Sequence, residues 1–155
     1  ESFSGEIDTS FNLTLKKDNN IIATYAARGL FLSGFHADFI DYFNCENMAT
    51  NLPTFEEKDQ YYSSCQWVSK DHRGNKFGMI LDHLKRNICF DIFGASMQYA
   101  IHKEAFKDYH LNGLHYSDSQ WFGTVPNGDV YNIAWITKED WASKLNDVRK
   151  LYTSD

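Results

Sequence analysis

The chain repeats part of itself. The stretch Tyr62 to Ile80, YSSCQWVSKDHRGNKFGMI, aligns without a gap onto Tyr116 to Ala134, YSDSQWFGTVPNGDVYNIA, at an offset of 54 residues. Five positions coincide: Tyr62 with Tyr116, Ser63 with Ser117, Gln66 with Gln120, Trp67 with Trp121 and Gly74 with Gly128. One more step of 54 back reaches 8–26, where Leu13 stands for the tryptophan and Asn20 for the turn glycine. Each copy places alternating strands around a turn, at Asp18-Asn19-Asn20, Arg73-Gly74-Asn75 or Asn127-Gly128-Asp129. That is the pattern of a β-hairpin. The expectation is therefore three hairpins, about 8–26, 62–80 and 116–134, within one domain spanning 1–155.

Between the hairpins the period changes. Phe35, Phe39 and Phe43 recur at a spacing of four, which draws a helix from about Ser33 that must end before Pro53. Thr54 to Glu57 has the form of a capping box and predicts a short helix. Met97, Ile101, Ala105 and Tyr109 mark a helical face over about 95–110, closed by Asn112 and Gly113, while 84–93 reads equally as strand or helix. Thr137 with Asp140 caps a last helix, whose inner side is Trp141, Leu145, Val148 and Tyr152 and whose final turn carries Arg149 and Lys150. The order ββα, ββ, α, ββα predicts an α+β fold, an antiparallel sheet built from repeated β-hairpins with helices packed on one face.

Charge and apolar runs remove some functions. With 21 acidic and 15 basic residues the net charge is −6, so general nucleic-acid binding is disfavoured and only a small local basic site remains open. Asp38, Asp41 and Asp91 interrupt the longest apolar runs, well short of the roughly 20 residues of a transmembrane segment. Cys45, Cys65 and Cys89 are an odd set. In a secreted protein this means one internal disulfide and a third thiol that is either free or bonded to a disulfide-linked partner chain; in a cytosolic one it means three buried thiols. Asn12-Leu13-Thr14 is an N-glycosylation acceptor and adds to the secreted reading.

Six histidines offer acid–base or metal chemistry. His110 and His115 flank the end of the expected helix, near Asp108 and Asp118, and would serve as a general acid and base or as two ligands. No HExxH, CxxC or helical His pair is present, so no metal is expected and no cofactor. His102, Lys103 and Glu104 carry the groups of a metal-independent nuclease, although helical neighbours in sequence point apart. A Cys89 or Cys65 thiolate beside His83 has no local support. GLFLSG and FGAS lack the lysine and the glycine spacing of a phosphate loop.

Aromatic residues reach 16%. The phenylalanines at helical spacing belong to a core. The rings on the hairpins alternate between sheet faces, and rings with a polar edge stack on sugars or anchor protein interfaces. Tyr62, Gln66, Trp67, Tyr116, Gln120 and Trp121 are the candidate binding residues, with a cell-surface glycan or protein as partner. The expected function is a secreted binding or toxin/effector-type domain. The enzyme alternative is a metal-independent hydrolase or nuclease using His102, His110 or His115 with a carboxylate.

Overall fold

A computed structural model describes residues 6–30, 32–52 and 60–153. Strands β1 (Glu6–Lys17) and β2 (Asn20–Leu30) pair antiparallel around Asp18 and Asn19, both at positive φ. Asn tolerates that conformation better than most residues, which is why this turn needs no glycine. Helix α1 (Leu32–Phe43) and the two-residue strand β3 (Asn47–Met48) follow, then β4 (Gln60–Val68). Helix α2 (Phe77–Asn87) widens into a π-turn over Ile88–Ile92 and leads to β5 (Met97–Lys103). Strands β6 (Asp118–Thr124) and β7 (Val130–Thr137) pair antiparallel, and α3 (Lys138–Thr153) ends the described chain. The Asp140 N–H donates to Thr137 Oγ1 at 3.2 Å, the cap that the sequence shows.

The seven strands form one sheet in the order β1-β2-β4-β5-β7-β6-β3. Described neighbours run antiparallel except β4 and β5, which are parallel because α2 carries the chain back between them. Adjacent residues of one strand go to different cores. Tyr99 and Ile133 join Phe35 and Phe39 of α1, whereas Ala100 and Ala134 join Trp141 and Val148 of α3. Helices therefore cover both faces, not one, and the central strands are buried on both sides.

Three further expectations are corrected. Residues 62–80 do not form a hairpin: β4 ends at Val68, and Phe77 to Ile80 are the first turn of α2. The segment at 95–110 begins as strand β5, because it is paired on β7 along its whole length and on β4 at its start. Tertiary pairing outweighs the helical spacing of its apolar residues. Cys45 and Cys89 are buried free thiols, and no disulfide occurs among the described residues. The capping box at 54–57 lies outside those residues. Among them no helix is long and apolar enough to cross a membrane.

Candidate functional site at the parting of β4 and β5

The parallel contact between β4 and β5 covers three residues, Gln60, Tyr61 and Tyr62 against Met97, Gln98 and Tyr99, and then stops. Beyond it β4 stays with β2 and β5 stays with β7, so the two strands separate. A bulge contributes: between Thr24 and Ala26 of β2 the partner strand advances from Trp67 to Ser64, one residue more, which bends β4. The facing edges are left with backbone N–H and C=O groups that a sheet would pair. A cavity of about 1080 Å³ occupies the gap. Ala100, Ile101, His102 and Lys103 all line it although successive strand residues point to opposite faces, so it passes between the strands.

At the wide end of the gap a short loop turns into α2. A 3₁₀ turn, Lys70–His72, is followed by Gly74 at φ 86° and Lys76 at φ 62°. Arg73 Nε donates to the Val68 carbonyl at 3.1 Å and pins the loop to the end of β4. Lys76 is the N-cap of α2 and makes no side-chain cap. The first N–H to find an intrahelical carbonyl is that of Ile80, bonded to Lys76 O at 2.9 Å. The preceding amides of α2 are the orphans of a helix start, with the positive end of the helix dipole behind them. Gly78 is buried here because Gln66 lies across it: a Cβ at Gly78 would fall 2.1 Å from Gln66 Nε2. His72, Arg73 and Lys76 line this end of the cavity.

The other wall comes from the segment after β5, a 3₁₀ turn at Glu104–Phe106 and a π-turn at Tyr109–Gly113. Gln66 Nε2 donates to Tyr109 Oη at 3.0 Å, which spans the cleft from β4 to this wall. His102 and His110 stack with ring centroids 4.2 Å apart and planes 18° apart. Burial holds both imidazoles below their ordinary range, His110 down to about 4. Burial also raises the Tyr109 phenol, which keeps it protonated.

Beneath the gap lies a buried ionic cluster on α2. Asp82 meets Lys85 at 3.0 Å and Arg86 at 2.7 Å, all fully buried. Lys85 donates to Ser63 Oγ of β4 and sits 3.2 Å from the centre of the Tyr25 ring. Arg86 donates to Gln98 Oε1 of β5 at 2.6 Å and to the Leu114 carbonyl at 2.8 Å. Ser63 and Gln98 flank the point where the strands part, so α2 is tied to both sides of the cleft. Burial pushes the Lys85 ammonium down to about 8 against the pull of Asp82. For Asp82, burial favours the neutral acid but Lys85 and Arg86 outweigh it and hold the carboxyl low. Removing one member would leave a buried charge uncompensated.

No protein-family model matches the sequence, and no curated protein matches it. Solved structures do. The chain resembles the GNAT acetyltransferase fold. A CoA-dependent acyl-homoserine lactone synthase superposes with a TM-score of 0.62 at 13% identity, over 96% of this chain and 68% of that one. An aminoglycoside acetyltransferase gives 0.56 at 9% identity, over 88% and 71%. The ribosomal-protein alanine N-acetyltransferase of Escherichia coli gives 0.54 at 10%, over 86% and 72%.

These acyltransferase neighbours overturn the reading as a secreted, toxin-type binder of a cell-surface glycan or protein, and the hydrolase or nuclease alternative with it. The geometry explains the error. Trp67 and Trp121 are not equivalent: Trp67 on β4 lines the cleft, whereas Trp121 on β6 is separated from it by β5 and β7 and has Nε1 bonded to Thr124 Oγ1 at 3.2 Å. Gln66 and Tyr62 line the cleft too, but Gln120 donates to the Asn51 carbonyl at 2.7 Å and Tyr116 is buried against Arg86. The six therefore form no common face. His110 meets His102 and not His115, which packs on His83 with centroids 5.3 Å apart, away from the cleft. No cluster of metal-ligating side chains occurs among the described residues.

Sequence reasoning missed the loop Arg73 to Gly78, because its Gly74 was matched to the turn of the third hairpin. A signal was present. Phe77, Ile80, Leu81 and Leu84 follow a helical period directly after that glycine, where a second strand would alternate.

Proposed function

We propose that the chain is an acyltransferase that takes its acyl group from a coenzyme A thioester. The observation that carries this reading is the parting of β4 and β5 over an uncapped helix start. Each part of such a donor has a matching feature. Its phosphates suit the free amides of α2 and the Arg73 and Lys76 cations. Its extended arm carries amides, which suit the unpaired strand edges as an added strand would. The thioester then lies toward the narrow end, near Tyr62 and Ala100. Two neighbours support the same donor, since one was determined with isopentyl-CoA and another with coenzyme A and kanamycin.

The −6 charge does not oppose this. Among the residues lining the cavity, basic side chains and imidazoles occur and carboxylates do not. Calorimetric titration with coenzyme A, acetyl-CoA and pantetheine tests the reading. Coenzyme A and acetyl-CoA are expected to bind, with pantetheine weaker by at least about tenfold because it lacks the groups that meet α2. No heat with any of them, or equal binding of pantetheine, refutes it.

A further inference from the structure

Acyl transfer moves a proton along with the acyl group, and the cavity lining holds no carboxylate to take it. Three imidazoles line it, and they differ in what they have free. His72 sits at the phosphate end with Nδ1 held by Ser69 Oγ at 2.6 Å. His102 has both nitrogens engaged, Nδ1 with the Lys103 carbonyl at 2.8 Å and Nε2 with Ser119 Oγ at 3.2 Å. His110 uses one: its Nδ1 meets the Phe106 carbonyl at 2.9 Å. A carbonyl only accepts, so Nδ1 carries the hydrogen and Nε2 carries a lone pair. That Nε2 has no hydrogen-bond partner among the described residues and is not sealed from solvent, and the ring faces the cavity.

Resting on the acyltransferase reading, we propose that His110 Nε2 takes the proton of the incoming nucleophile, with His102 as the positioning residue whose ring holds it in place. The nucleophile's lone pair forms a bond to the thioester carbonyl carbon, and its proton passes to Nε2. The carbon–sulfur bond breaks with its electron pair on sulfur. The imidazolium then gives its proton to the thiolate, so His110 ends neutral and the free thiol leaves.

The groups around His110 agree with a resting neutral ring. Burial disfavours its charge most; the Phe106 carbonyl favours it, His102 of β5 disfavours it, and on α2 Asp82 and Lys85 act in opposite directions. Tyr116 packs at 5.8 Å and Tyr109 edge-on at 5.7 Å. The ring is therefore able to accept through the whole neutral pH range.

The experiment uses acetyl-CoA as donor, water or added hydroxylamine as acceptor, and thiol release as signal. His110→Gln is expected to lose about 100-fold in rate at saturation, with acetyl-CoA affinity kept within about threefold, since the loss is in the transition state alone. His110→Ala should regain part of that rate with added imidazole, and His102→Gln should fall between the two. In the unmodified protein, nitrogen NMR should find His110 protonated at Nδ1, and the acid limb of the rate profile should lie below the ordinary imidazole range. Unchanged rates in both His110 variants overturn the assignment, as does an Nε2–H tautomer. Bound acetyl-CoA that passes its acyl group to neither acceptor overturns it as well. Failure to bind acetyl-CoA at all overturns the acyltransferase reading, and this inference falls with it.

Discussion

Replacing Gly78 by Ala separates folding from binding at the helix start. The new Cβ falls 2.1 Å from Gln66 Nε2, 3.2 Å from Gln66 Cδ and 3.3 Å from Tyr109 Oη. All three belong to side chains, so Gln66 swings aside while α2 keeps its place. The loss is the Gln66–Tyr109 hydrogen bond, about 1 kcal/mol net. The gain is helix propensity, up to about 1 kcal/mol for Gly to Ala. These nearly cancel, so the melting temperature should move by no more than about 4 °C. Binding does not cancel. The displaced amide moves into the cavity and the methyl group stands on the first turn of α2, where the proposed phosphates approach. Acetyl-CoA affinity should fall by about tenfold or more, about 1.4 kcal/mol. Thermal melting and calorimetric titration of the same preparation check both halves. A destabilisation above about 3 kcal/mol would mean that Gly78 serves the fold, and an unchanged affinity would mean that nothing binds against this helix turn.

Three other outcomes follow from the same geometry. Lys76→Gly relieves a non-glycine residue at φ 62° and should stabilise the protein by about 1 kcal/mol in urea denaturation, while weakening coenzyme A binding through the lost cation. Asp82→Asn leaves Lys85 and Arg86 buried without their counter-charge and should cost about 3–5 kcal/mol in the same assay. Burial holds His83 down to about 3 and His110 to about 4, against about 6.5 in the unfolded chain. Between those limits the unfolded state binds more protons, so the contribution is complete above about pH 6.5 and is lost as pH falls toward 4. Each histidine adds at most about 1.4 kcal/mol per pH unit, and the half-buried His110 adds less than the buried His83; denaturation at a series of pH values from neutral to acidic measures the slope, and a flat profile refutes it.

The elements that local chemistry alone can specify were legible. Phe35 and Phe39 do face the core from α1, and Thr137 does cap α3, because helix faces and caps are decided within a few residues. Turns at Asp18-Asn19 and Asn127-Gly128 do join paired strands. The second copy of the repeat deceived because its matched residues are strand residues only as far as Val68. Tyr62, Ser63, Gln66 and Trp67 match Tyr116, Ser117, Gln120 and Trp121 in sequence, yet Tyr62 and Ser63 lie inside β4 whereas Tyr116 and Ser117 precede β6, and the copies part fully at the glycine. Gly74 at φ 86° opens a loop into a helix, whereas Gly128 at φ 95° sits in a hairpin turn. A positive φ fixes one residue and leaves the next element undetermined. Strand β5 was hidden for a different reason. Its burial on both faces removes the alternation that marks a half-exposed strand, and its apolar residues then fit a helical spacing by accident.

The candidate site was the least legible part, and the reason is physical. Its main feature is a missing pairing: backbone groups of β4 beyond Tyr62 and of β5 beyond Tyr99 that face each other across a gap. No side chain encodes an absence of hydrogen bonds. What the side chains do encode is the support of that gap, and they do so at a distance in sequence: Lys85 to Ser63, Arg86 to Gln98 and to Leu114. Read along the chain, Asp82, Lys85 and Arg86 look like an ordinary charged helix face on solvent. Their complete burial reverses that meaning. Charges are costly to bury, and a core of similar volume needs none to be stable, so their placement under the point of divergence argues for holding two strands at a set separation. The same logic explains why an acidic chain can offer a site for an anion. Net charge averages over the surface, whereas Lys70, Arg73 and Lys76 fall within one loop at the wide end of the cleft, and the helix dipole of α2 adds to them there.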